Sequence, residues 1–312
     1  MQVSGGFCHK SVTLLLYKHH QSVTTTSQWG VNIRCVKVTQ RELSIMVTSE
    51  KGLSVRMASS EQDIVNCQRL RYEVFAVEMG AQLPTGHLGL DKDGFDEVCS
   101  HLLVEDLSTG DVVACTRILT DKIAQEVGGY YYSDHEFDLT KIRQMSGRVM
   151  EIGRTCVRAD FRNGATISVL WSGLASFMLE EGFDFLMGCA SVDYSDGGVQ
   201  VQAIRSYLAD HDLLAANERC VSPRVSIPTL NLADKDVTIQ WPPLLKAYMR
   251  LGAKVCGEPC LDAAFGVADF FILLDVKDLN PRYARHFLQR ATPISMVMHS
   301  TMTAPSATAM AA

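Results

Sequence analysis

The amino-acid sequence predicts an α/β (α+β) chain with a central mixed β-sheet flanked by helices. Three observations carry that expectation. Apolar residues fall into short runs of period two and longer runs of period near 3.6, in the order strand, helix, hairpin, strand, helix, strand, helix and a mixed end. Gly80, Gly182 and Gly252 stand just past the clearest helical runs, where helices stop. With 312 residues and 47% apolar content, the chain can bury a sizeable core in one large domain or two small ones.

The elements follow in order. Residues 1–52 are rich in Ser, Thr, Val and His and contain no aspartate. That composition fits an organelle presequence, or sequence ahead of a true start at Met46 or Met57; poor order is expected there. The folded domain is expected over 53–290, opening with a strand at 53–57. Ser59, Ser60, Glu61 and Asp63 then offer caps and first-turn acids to a helix running to Glu78. Residues 80–97 form an acidic, glycine-bearing loop, and 100–105 with 112–119 read as a β-hairpin. A long connection over 121–147 carries Tyr130, Tyr131 and Tyr132, which either line a pocket or cover a sheet edge. A strand at 148–158 passes through a turn at 159–163 into a helix at 164–181, uncharged between Arg162 and Glu180 and therefore buried. A strand from 183, a helix near 198–210, a loop-like stretch and a Pro242-Pro243 helix start come next. Runs at 253–256 and 268–275 supply the last strands. The Met/Ala/Ser/Thr-rich tail 291–312 is expected to be disordered.

Composition narrows the function. Net charge is −6, so there is no overall basic footprint for nucleic acid. The ten cysteines are scattered without a Cys-x-x-Cys, which suggests reduced, buried thiols and no metal site. No uncharged apolar stretch reaches the ~18 residues of a membrane span. Gly-x-Ser-x-Gly, His-Glu-x-x-His and Gly-x-Gly-x-x-Gly are absent, so serine hydrolases, zinc proteases and dinucleotide enzymes lack their signatures.

Two stretches carry candidate chemistry. Glu151 and Arg154 lie three apart on one strand, on opposite faces if the strand is regular. They read as a sheet-face ion pair or, if a bulge intervenes, as two groups facing one cleft, with strand N–H groups free to polarise a carbonyl. Arg162-Asn163-Gly164 opens the next helix and, with Arg154 and Arg158, offers positive charge to an anion. Asp91, Asp93, Asp96 and Glu97 make an acidic cluster without EF-hand spacing. It is either a solvated loop or a carboxylate cage for an amine-bearing substrate.

Taken together, residues 53–287 resemble the ornithine N-acyltransferase family, also called hemolysin-like proteins, within the GNAT acyltransferase fold. The resemblance rests on Arg69-Leu70-Arg71-Tyr72-Glu73-Val74-Phe75, the Asp91–Asp96 loop, Thr116-Arg117-Ile118-Leu119 and Glu151-Ile152-Gly153-Arg154-Thr155-Cys156-Val157. It continues through Phe161-Arg162-Asn163-Gly164, Gly188-Cys189-Ala190-Ser191, the 242–253 helix, and Asp262, Phe265 and Asp269. A fainter similarity links Arg71, Phe75, Asp93, Asp96, Arg117, Glu151 and Arg154 to acyl-homoserine-lactone synthases. The usual GNAT coenzyme A loop fits badly: from Arg162 it needs glycine at 165 and a small residue at 167, where the chain has Ala165 and Ile167.

The resemblance implies an N-acyltransferase that moves a 3-hydroxyacyl chain from acyl carrier protein to the α-amine of ornithine, giving lyso-ornithine lipid. The donor would carry phosphopantetheine, with no cofactor bound by the chain itself. The amine would attack the thioester directly, Cys156 being strand packing. Backbone N–H groups near Thr155 and Val157 would hold the oxyanion, and Glu151, through water, would accept the amine proton, with Arg154 beside it. Asp93 and Asp96 would bind ammonium, with Phe75 in the substrate site and Arg71 or Arg117 ordering the loop or pairing a carboxylate. Arg158, Arg162, Asn163, Gly164, Lys246 and Arg250 would meet the carrier protein and its phosphate. The implied location is cytoplasmic or peripheral on the inner membrane. Rival readings are an N-acyltransferase for another amine, a non-catalytic carrier-protein or lipid-binding module, and a membrane-damaging haemolysin.

Overall fold

The computed structural model describes residues 47–48, 52–230 and 237–280. The expected extension 1–52 and tail 291–312 lie outside the described residues, apart from Val47, Thr48 and Gly52. Val47–Thr48 pairs antiparallel with β1 (Leu53–Met57), so the sheet begins inside the stretch expected to be poorly ordered. No helix among the described residues is long and apolar enough to cross a membrane.

A nine-stranded mixed sheet organises the molecule. Its main strands are β1, β2 (Ser100–Asp106), β3 (Val112–Thr120), β4 (Val149–Val157), β5 (Phe185–Asp193), β6 (Cys260–Asp262) and β7 (Val267–Asp275). Their spatial order after Val47–Thr48 is β1, β2, β3, β4, β5, β7, β6, and Lys254–Val255 adds to β7. β6 is too short and polar to have been read as a strand from the sequence. All main-strand pairings are antiparallel except β4 with β5.

Residue alternation on the strands feeds two cores. Val55, Leu102, Ile152 and Phe270 face α2 (Gly164–Glu181), α3 (Val199–Asp210) and α4 (Pro243–Leu251). The 18-residue α2 is uncharged up to its last turn because it lies against the sheet. Its approach is closest at Gly173, where a Cβ would stand 2.6 Å from Val55 Cγ2. On the other face, α1 (Glu61–Tyr72) packs Cys67 and Leu70 against Leu103, Cys115 and Cys156. The connection between β3 and β4 packs Phe137 and Ile142 against Leu119 and Phe271 on the same side.

The expected Ser60 cap is present, with Asp63 completing a capping box. The helix does run to Glu78, but its last six residues, Glu73–Glu78, widen into a π-helix. Eight cysteines fall among the described residues and all are free thiols. Cys115 and Cys156 face one another across β3 and β4 with their sulfurs 3.6 Å apart, buried as strand packing.

Two irregularities of the sheet make the site. β4 and β5 pair in parallel only over Val149–Phe185, Met150–Leu186 and Glu151–Met187, although each strand has nine residues. Beyond that they part, leaving backbone on both inner edges without a strand partner. Gly188 sits at the fork. A Cβ there would meet the Ile152 carbonyl oxygen at 2.4 Å, so only glycine lets the strands close at this point.

Candidate active site

The second irregularity is a β-bulge on β4. Cys115 pairs with Cys156 and Arg117 with Gly153, so Thr116 alone opposes both Arg154 and Thr155. Of the two readings of Glu151 and Arg154, the bulge is the one present, and it falls at Arg154 itself, which takes φ +52°, an unusual conformation outside glycine. The Thr116 and Thr155 hydroxyls lie 2.7 Å apart and pin the bulge. Its consequence is a change of parity, so that Glu151 and Arg154 both turn toward Tyr132. Arg158 N donates to Val113 O, so the preceding Val157 N–H points away from β3, into the fork left by β5.

A small, partly open cleft lies at the fork. Gly153, Arg154 and Thr155 form one wall, Cys189 and Ser191 the other, with Phe75, Tyr132 and Ser133 above them. Arg154 lies near the rings of Tyr132, Phe265 and Phe75, 4.8, 4.8 and 6.0 Å from their centroids. It also donates to the Tyr132 hydroxyl at 2.9 Å. Phe75 and Phe265 meet edge to face at 5.9 Å.

Glu151 does not line this cleft; it sits behind the wall, 2% exposed. Its carboxylate accepts from Tyr132 N (2.6 Å), Ser133 N (2.8 Å) and Ser133 Oγ (2.5 Å). Burial pushes its pKa up, against these hydrogen bonds, which pull it down. The sequence reading of a Glu151 that reaches the amine through water therefore needs correction: the Ser133 hydroxyl stands between Glu151 and the cleft. Burial likewise raises the Tyr132 phenol, which stays protonated.

The acidic loop is also corrected. Asp91, Asp93 and Asp96 meet three arginines rather than an open cage. Arg71, 1% exposed, donates to Asp91 Oδ2 at 2.8 Å and to both Asp96 oxygens at 2.8 and 2.9 Å. Arg117 donates to Asp93 at 2.6 Å, and Arg154 Nε lies 3.1 Å from Asp91. Burial alone would lift Asp93, but Arg117 outweighs it and holds that carboxyl below its ordinary value. Three guanidinium groups thus neutralise three carboxylates, and the loop is latched to α1 and the bulge.

The donor-side residues are partly engaged. Asn163 Oδ1 caps α2 by accepting from Ala165 N at 3.0 Å and Thr166 N at 3.3 Å, which occupies N–H groups that a pyrophosphate would need. Gly164 opens the helix. Arg158 pairs with Asp160 and Asp111, and Arg162 with Glu78. Lys246 and Arg250 are exposed on α4 and in no ion pair among the described residues.

Three further acids stand on the cleft wall without a role from sequence: Asp262 and Asp269, which belong to the resemblance, and Glu136. They lie far apart in the chain, and only the fold brings them together. Their carboxylate oxygens stand within 4.8 Å of one another.

Residues 70–172 match the Acetyltransferase (GNAT) domain family. The chain is similar to the L-ornithine N(alpha)-acyltransferase of Rhizobium meliloti (strain 1021), 34% identical over 254 residues that cover 76% of this chain and 84% of the relative. It is 31% identical over 256 residues to that of Rhodobacter capsulatus, covering 78% and 98%. Among solved structures, an N-acyl amino acid synthase from uncultured soil microbes aligns with TM-score 0.41 and 10% identity, covering 72% of this chain and 92% of that one. A CoA-dependent acyl-homoserine lactone synthase aligns with TM-score 0.42 and 14% identity, covering 82% and 98%.

Proposed function

The chain belongs to the L-ornithine N(alpha)-acyltransferase family, and from that premise we propose that it transfers a 3-hydroxyacyl chain from acyl carrier protein to the α-amine of L-ornithine, forming lyso-ornithine lipid. The observation that carries the reading is the fork between β4 and β5, with the bulge at Arg154 and Thr155 opening onto it. A thioester lying in the fork would set its carbonyl against the Thr155 and Val157 N–H groups, which would hold the oxyanion as it forms.

The α-amine attacks the carbonyl carbon and the C–S bond breaks. The Ser133 hydroxyl takes the proton of the amine and passes its own to Glu151, 2.5 Å away. The Tyr132 hydroxyl donates toward the leaving sulfur; after product leaves, Tyr132 takes a proton from solvent and Glu151 gives its own back to solvent through the Ser133 hydroxyl. Arg154, at the cleft wall and already facing Asp91, would turn its remaining N–H groups to the α-carboxylate of the acceptor. The Asn163 cap supports a carrier-protein donor, since phosphopantetheine brings no pyrophosphate to the N-terminus of α2. Lys246 and Arg250 offer free charge to an acidic carrier. Met79, on the cleft wall and 49% exposed, and Val77, 67% exposed, give the rim an apolar lip for the acyl chain and for peripheral contact with a bilayer.

The test is the purified protein with 3-hydroxyacyl carrier-protein and coenzyme A thioesters against a panel of amines, read by mass spectrometry. Nα-acyl-ornithine from the carrier-protein donor is expected. Product with another amine and none with ornithine, or preference for coenzyme A, would overturn the respective half of the reading.

A further inference from the structure

Most acids around the site have a basic partner or a full set of hydrogen bonds, as Glu151 has from Tyr132 and Ser133. Asp91, Asp93 and Asp96 have arginines, and Asp134 has Arg143. Glu136, Asp262 and Asp269 have none among the described residues, although they converge on one wall of the cleft.

The trio is built from three directions. Glu136 follows the Tyr132–His135 turn, Asp262 ends β6 and Asp269 lies on β7. Asp269, 4% exposed, is aimed by the Ser191 hydroxyl, which donates to it at 2.6 Å. Asp262 Oδ1 accepts from Ala264 N at 2.9 Å and Phe265 N at 3.2 Å, which fixes the loop. Glu136 is 9% exposed, and its Oε2 atom receives no hydrogen bond at all. A buried carboxyl oxygen without a hydrogen bond, facing two more carboxyl groups, is unfavourable when ionised until a proton or a cation joins them.

The chemistry of the cation can be narrowed. A primary ammonium has three N–H donors, which matches three converging acceptors. A hard divalent ion would need water to complete its roughly six or more oxygens here, whereas an ammonium needs no ligand beyond the trio. Placement agrees as well. Glu136 caps the turn that carries Ser133, and both line the same cleft, so one short substrate can reach both.

We propose that Glu136, Asp262 and Asp269 form the subsite that reads the side-chain ammonium of a diamino acid acceptor, selecting ornithine over its monoamino analogue and leaving the α-amine beside Ser133. This rests on the acylation reading above. Burial and mutual repulsion also hold Glu136 well above the ordinary carboxylate range and Asp269 at about 6, as in a pocket that waits for positive charge.

The experiment compares kcat/KM for L-ornithine and L-norvaline, which lacks only the δ-amine, in wild type, Glu136→Gln and Asp262→Asn. Wild type should prefer ornithine by about 100-fold, and each variant should bring the ratio below about tenfold, mainly through KM. An unchanged ratio in folded variants overturns the subsite while the acylation reading stands. So does collapse of the wild-type ratio on adding a chelator, which would assign the trio to a divalent ion. A wild type that acylates neither amino acid overturns the acylation reading and the subsite with it. If a variant does not fold, inhibition of wild type by 1,4-diaminobutane decides: the subsite requires competition with ornithine, and its absence overturns the proposal.

Discussion

At Asp269 the demands of binding and stability oppose each other. An acid held at about 6 in the folded chain and near 3.8 in the unfolded one favours folding only while protonated. Its contribution is full below the unfolded value and lost as pH rises through the folded one. Above about pH 6 the ionised carboxylate therefore costs the fold stability. Asp269→Asn is therefore expected to raise the melting temperature of the free protein at pH 8, with the gain shrinking towards pH 4. Melting curves across that range check it, and a variant less stable at pH 8 would count against the buried charge. Ser133 makes a second, separable claim. Ser133→Ala keeps the backbone N–H bond to Glu151 but removes the hydroxyl, and kcat should fall by about 100-fold; an unchanged kcat would sink the relay. Neither residue could be assigned from sequence, because the partners of Asp269 and Glu151 come from turns and strands distant in the chain. Glu151 and Arg154 were legible as a pair. What the sequence could not reveal was that three hydrogen bonds from Tyr132 and Ser133 seal Glu151 off from the cleft.

Among the elements, strands and helices followed closely from periodicity and caps. The β2–β3 hairpin, β4, α2 and the proline-led α4 were all legible, because each carries its own local signal. The π-turn at Glu73–Glu78 and the three-residue β6 were not, since tertiary contacts decide them. The acidic loop was half legible. Arg71 and Arg117 order it as the resemblance implies, but an ammonium role for Asp93 and Asp96 fails because the arginines on α1, β3 and β4 already cancel their charge. Removing Arg71 leaves Asp91 and Asp96 buried without their main partner, so Arg71→Ala should lose about 3–5 kcal/mol in denaturant unfolding. A loss under ~1 kcal/mol would mean that the latch is not needed for the fold. The fork has its own test. Gly188→Ala puts a methyl against the Ile152 carbonyl and forces β4 and β5 apart. Thermal stability and kcat/KM should both fall, and a fully active, equally stable variant would show that the fork tolerates widening.

For the whole molecule, one sheet runs unbroken from Val47–Thr48 to β6, so its first strands belong to the same cooperative unit as the site. β1 is central to this: Val55 is fully buried beneath α2. A chain begun at Met57 lacks nearly all of β1 and should be insoluble or unfolded, whereas one begun at Met46 keeps it. Circular dichroism of the two tests whether β1 is required, and a folded Met57 chain would show that it is not.

The parted strands also mean that this sheet is unfinished. Six residues of β4, Ile152–Val157, and six of β5, Gly188–Asp193, run past each other without closing the ladder between them. An extended donor arm with its own amide groups would serve as the missing rung, so that substrate and scaffold share one hydrogen-bonded surface. Turnover would then be accompanied by cyclic tightening and loosening of the sheet. Amide exchange along these two edges should slow when an acyl-carrier thioester is bound and recover once the deacylated carrier departs.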